Sequence, residues 1–144
     1  MGLLVGLVLI QFIRIDKTLP DSDPVQDFLT VNATDEGTAK VIRDACYDCH
    51  SHQTEYPWYT HVAPLSWWIQ NHILEGREHL NFSIWSTYPA KKMHHKLEEC
   101  VEMTKEGEMP MASFTWTHPE ARLSIEQKEA LTGYFQKLYG EAGE

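Results

Sequence analysis

Positive charge is scarce in this sequence. Twelve Lys and Arg stand against 21 Asp and Glu, giving a formal net charge of −9 over 144 residues. Such a chain repels phosphate backbones, so nucleic acid is excluded as a partner and steering towards basic surfaces is expected instead. Cysteine is scarce as well: three is an odd number and too few for a disulfide scaffold. No apolar run reaches the ~20 residues of a comfortable membrane span. No segment alternates apolar and polar residues as a half-buried strand would, and no internal repeat is visible. Aromatic residues, by contrast, are plentiful, with five Trp, six Tyr and five Phe, and eight His add an excess of metal-ligand candidates. So many flat rings must be buried in a core or wrapped around a large flat ligand.

The length suits one domain. Residues 1–15 begin with ten apolar or Gly positions, and Phe12 and Ile13 continue the run to Arg14. The run has no basic flank before it and no small-residue cleavage pattern after it. It is read as a hydrophobic anchor or signal segment, the end of an uncleaved anchor whose first residues are missing; a buried core helix and a cleaved signal are the alternatives. Residues 16–33, with Pro20 and Pro24 among polar and acidic neighbours, are expected to form a tether. Residues 34–144 are expected to be the folded domain.

Within that domain the periodicity predicts an all-α fold of about four helices joined by long loops. Thr34 is the expected cap of a helix from Asp35 to Cys46, with Asp35 and Glu36 in its first turn. Pro64 suits the start of a second helix over Leu65–Glu75, with Gly76 as its stop. A third runs from Pro89 to Glu106, followed by Gly107, and carries Met93, Leu97, Cys100, Val101 and Thr104 on one face. Ser124 and Gln127 fit a capping box for a fourth, whose stripe is Ile125, Leu131, Phe135 and Leu138.

Chemistry concentrates in Cys46-Tyr47-Asp48-Cys49-His50, the C-x-x-C-H pattern of c-type haem attachment. On a helical turn Cys46 and Cys49 are neighbours at i,i+3, and His50 lies i+4 from Cys46 on the same face. Two thiols so spaced can each form a thioether with one vinyl group of a haem, and the following imidazole can coordinate the iron. A zinc site would need a second Cys pair or a tight His pair, and a thioredoxin-like dithiol would need a βαβ setting. Zinc, a dithiol and an accidental match stay open as weaker readings.

A sixth iron ligand is sought in Gly107-Glu108-Met109-Pro110-Met111, where Pro110 keeps the chain extended after Met109. Met109 is the first candidate; Met111, His61, His72 and His118 are the others, and each could equally be a packed or hydrogen-bonded structural residue.

Four stretches together resemble the small bacterial haem-binding domain proteins with a single C-x-x-C-H. They are residues 45–51, the block Tyr56-Pro57-Trp58-Tyr59, the block Val62-Ala63-Pro64-Leu65-Ser66-Trp67-Trp68, and residues 76–83. Residues 107–110, 118–121 and 123–124 continue the likeness, which covers about residues 40 to 140. The resemblance implies a cytochrome c-like fold around one covalent haem c, exported to the periplasm behind a membrane anchor. It implies Cys46 and Cys49 as attachment points, His50 as the proximal ligand and Met109 as the distal one. Arg77 and Asn81 are expected as donors to the haem propionates. Trp58, Trp67, Trp68 and Trp85 are expected as the pocket's apolar wall. The expected function is electron transfer with periplasmic or membrane redox proteins, without enzymatic turnover. The alternative is a sensor of NO, CO or peroxide in which the Met ligand is displaceable. Cys100 has no expected haem role.

Overall fold

The computed structural model describes residues 2–143, and among these residues every regular element is helical. The chain opens with α1 (Gly2–Leu9) and a 3-10 turn over Ile10–Phe12. After an extended stretch come α2 (Phe28–Val31) and α3 (Glu36–Ile42). A π-helical turn, Arg43–Tyr47, joins α3 to α4 (Asp48–His50), so one continuous helix carries the C-x-x-C-H motif at its C-terminal end. α5 (Leu65–His79), α6 (Ala90–Glu106), α7 (Ala112–Thr115) and α8 (Ile125–Ala142) complete the fold.

The helix ends follow local chemistry. The α3 cap is Asp35 rather than Thr34: its carboxylate accepts the Thr38 N–H at 3.0 Å, while the Thr34 hydroxyl lies 2.6 Å from Tyr134 on α8. Gly107 stops α6 in the left-handed conformation at φ 80°, which costs Gly little. Ser124 and Gln127 form the expected capping box at the start of α8.

α6 and α8 pack together, and their apolar stripes meet a cluster of rings contributed by the rest of the chain. Phe28 sits at its centre, fully buried, with ring centroids 4.9 Å from Phe82 and 5.0 Å from Trp85. This corrects the tether. Residues 16–33 reach into the core through Phe28 and Leu29, because Asp27 caps α2 and accepts the Tyr47 hydroxyl at 2.8 Å, fixing that short helix against the motif turn. Trp85 is corrected too. At 2% exposure it is a core residue and not a pocket wall.

α1 buries none of its residues, so the buried-core reading of the N-terminus does not hold. No described helix is long and apolar enough to cross a membrane.

Candidate functional site

The motif helix changes pitch where it meets its cysteines. The π turn over Arg43–Tyr47 places Ala45 and Tyr47 both in the buried interior, a widening that helices use where function demands an altered register. Tyr47 stacks on Phe82 with centroids 5.4 Å apart and planes 12° from parallel. The helix then closes at Ser51, whose hydroxyl donates to the Tyr47 carbonyl at 2.7 Å and accepts the Gln53 N–H at 2.9 Å.

All three cysteines are free thiols. Burial pushes Cys46 up to about 12, with a smaller contribution from Cys49. Burial likewise pushes Cys49 up to about 11, helped by Asp48 and opposed by Arg77. Cys100 on α6 is raised by burial and further by its nearness to Cys46. At neutral pH these groups are uncharged and slow to oxidise. Among the described residues no three His, Cys, Asp or Glu side chains converge as a metal cage would require. The motif spreads its donors along a helical face instead, which disfavours the zinc reading.

His50 is held by its protonated nitrogen. Its Nδ1 lies 2.9 Å from the Gly76 carbonyl and 3.1 Å from the Leu80 carbonyl. Carbonyl oxygens only accept, so Nδ1 carries the hydrogen and the Nε2 lone pair is left over. Nε2 makes no hydrogen bond, and no buried side-chain N or O lacks a partner among the described residues, so Nε2 is not sealed away. Burial also lowers the His50 pKa, which keeps the ring neutral. A neutral imidazole oriented through its other N–H is the arrangement in which proteins present His to a metal.

Gly76 makes this possible, and sequence reasoning misread it as a stop. α5 runs past Gly76 to His79. A Cβ at position 76 would lie 2.7 Å from the Cys49 carbonyl oxygen. The glycine is there so that α5 can approach the motif turn closely enough for its carbonyl to reach His50. The available signal was the run of helix formers, Arg77-Glu78-His79, continuing beyond the glycine.

The expected propionate donors are engaged within the protein. Arg77 donates from Nε to the Ser51 carbonyl at 2.7 Å and from Nη2 to the Thr54 hydroxyl at 2.8 Å, clamping the loop that follows the motif. Asn81 is buried, accepts the Ser83 N–H at 3.0 Å and places its amide nitrogen 2.8 Å from His52.

A cleft of about 430 Å³ opens beside the motif turn, with walls that are almost wholly apolar. Cys49, Tyr59, Ile69, Ile73, Met111 and Phe114 line it, and Trp68 from the expected aromatic block stands at its edge. Trp58 and Trp67 lie outside the lining: Trp58 is 78% exposed, and the Trp67 indole N–H donates to the Ile13 carbonyl at 3.0 Å. The cleft reaches the motif at Asp48 and Cys49 and includes neither Cys46 nor His50. Met109 also lies outside it, on the loop after α6, where its N–H donates to the Met103 carbonyl at 3.2 Å. Of the histidines weighed as distal ligands, His72 and His118 line the cleft and His61 does not.

Asp48, a variable position of the motif, organises the far wall. Its carboxylate accepts the Glu55 N–H at 2.8 Å and faces His118 Nε2 at 3.9 Å, and burial raises its pKa. His118 in turn stacks on Phe114 at 4.0 Å and lies 3.2 Å from the Tyr59 hydroxyl. The motif turn is thereby linked to the segment that carries Met111.

A family described as haem-binding domain has a sequence model that matches residues 5–137, which is nearly the whole chain. The chain belongs to the haem-binding domain family. No curated protein and no solved structure matches it.

Proposed function

We propose that this haem-binding domain holds a single haem c, through thioethers at Cys46 and Cys49 and through His50 on the proximal side, and works as a periplasmic electron carrier. The observation that carries the reading is the His50 ring, with Nδ1 pinned by the Gly76 and Leu80 carbonyls and Nε2 left free on the face shared with both cysteines. In attachment each cysteine adds its sulfur and its thiol hydrogen across one vinyl double bond, so atoms balance without an oxidant. When bound, the haem supplies one-electron exchange. The chain's own residues orient the imidazole, exclude water with apolar walls and occupy the sixth position with a methionine of the loop after α6.

Met109 is the ligand that the resemblance implies. Met111 is the second reading, favoured by its place in the cleft wall. With both axial positions filled from the protein, no site is left for a substrate, and the domain is not an enzyme. The acidic surface, at net charge −9, suits docking to basic faces of periplasmic or membrane redox proteins.

Redox titration with CO challenge tests the reading. The electron carrier is reduced and reoxidised reversibly in one-electron steps, and its ferrous form takes up no CO at neutral pH. Rapid CO uptake would replace it with the sensor reading, in which the methionine is displaceable.

A further inference from the structure

The segment that follows α1 is bonded to the body of the protein along its length. Gln11 exchanges a pair of hydrogen bonds with Ala63, donating from Nε2 to the carbonyl and accepting the N–H at Oε1, both at 2.9 Å. Arg14 donates to the His61 carbonyl at 3.0 Å, and Lys17 donates to the Thr60 hydroxyl at 2.7 Å. In the other direction Trp67 donates to the Ile13 carbonyl at 3.0 Å, while Gln70 donates to the Asp16 carbonyl at 3.3 Å. Every one of these partners falls between Thr60 and Gln70, in the stretch that builds one wall of the cleft. α1 therefore leaves the body at the rim of the cleft and at a fixed place.

That rim is apolar and unpartnered. Trp58 and Trp116 are 78% and 77% exposed, and Val62, Leu65 and Trp68 are exposed beside the same opening. The apolar surface continues through Phe12 and Ile13 into α1, where Leu3, Leu4 and Val8 face outward. A contiguous exposed apolar surface of this kind marks an interaction site. Two features identify the occupant. Trp is the side chain that a bilayer interface favours, because its ring is apolar and its indole N–H is not. The chain as a whole is acidic, yet Arg14 and Lys17 stand at the junction of α1 and the rim, where headgroup phosphates would meet them. Asp16 lies between them with its carboxylate accepting the Thr18 N–H at 2.9 Å.

We propose that the rim formed by Trp58, Val62, Leu65, Trp68 and Trp116 is a membrane-interface surface, laid against the bilayer that takes up α1. The inference rests on the N-terminal segment being a membrane anchor and goes beyond it: the domain is held flat, with its cleft opening at the lipid headgroups. α1 is about 12 Å long at 1.5 Å per residue, enough to enter one leaflet. A redox partner would then meet the cleft at the membrane plane.

Photolabelling of the full-length holoprotein on phosphatidylcholine–phosphatidylglycerol vesicles containing a headgroup-diazirine lipid tests this, with peptides read by mass spectrometry. The expected result is label on residues 2–13 and also on peptides covering 56–68 and 112–118, with the exposed face of α8 near background. Replacing both exposed rings, Trp58→Ser with Trp116→Ser, should cut the rim label severalfold and leave the label on residues 2–13 unchanged. Label on residues 2–13 with the rim no higher than α8 would overturn the proposal and leave the rim for a protein partner. Failure to label residues 2–13, with no co-flotation on the vesicles, would instead overturn the anchor itself and the proposal with it.

Discussion

For His50 the question is which ring nitrogen holds the proton, and two backbone carbonyls answer it. Gly76 supplies one of them, and its missing side chain lets α5 lie against Cys49. Gly76→Ala therefore forces the two segments apart; it should cost about 1–3 kcal/mol in urea unfolding, as overpacking does, and lower the haem content of the purified protein. Tyr47 makes a second prediction. Burial and the Asp27 carboxylate raise its pKa well above the usual range, so the folded state keeps a proton that the unfolded chain releases above about pH 10. That stabilisation is present in full below the unfolded pKa and is lost as pH rises through the alkaline range. Urea midpoints of the haem-free protein should fall above about pH 10, and Tyr47→Phe should flatten the fall while costing about 1–2 kcal/mol at neutral pH through the lost hydrogen bond. The cysteines and His50 were legible as a pattern because their chemistry is set by spacing along one helix. Gly76 was not: its purpose depends on Cys49, 27 positions earlier in the sequence, which propensity cannot see.

Helix starts and stops written in local chemistry were readable in advance, as Ser124 with Gln127 and the left-handed Gly107 show. The π turn was not. The stripe of Val41, Ile42 and Ala45 fits an ordinary helix, and the wider turn arises where Tyr47 must stack on Phe82, from a distant element. The segment before α3 was misread for a related reason. Its two buried residues, Phe28 and Leu29, are embedded in polar sequence and give no period, while the ring cluster that receives them comes from α8 and the stretch before α6. The prediction at this scale is direct. A tether residue would tolerate replacement, whereas Phe28→Ala should cost about 3–5 kcal/mol in chemical denaturation.

Across the whole molecule, the all-α class was legible from periodicity and the absence of strand alternation, but the arrangement of the distal side was not. Met109 and Met111 are two residues apart in one loop, and only the packing of α7 against the cleft places Met111 in the wall. Ferric His–Met haem has a weak far-red absorption band. Met109→Ala should abolish it and Met111→Ala should spare it if Met109 is the ligand; the reverse outcome would assign the iron to the cleft.

The claim on which the rest depends is covalent attachment, and extraction with acidified organic solvent tests it most directly. After expression with cytochrome c maturation machinery, the pigment should stay with the precipitated protein and give a pyridine haemochrome of the c type. Cys46→Ala combined with Cys49→Ala should release it to the solvent. Pigment that leaves the unaltered protein, or protein that matures colourless, would contradict the account.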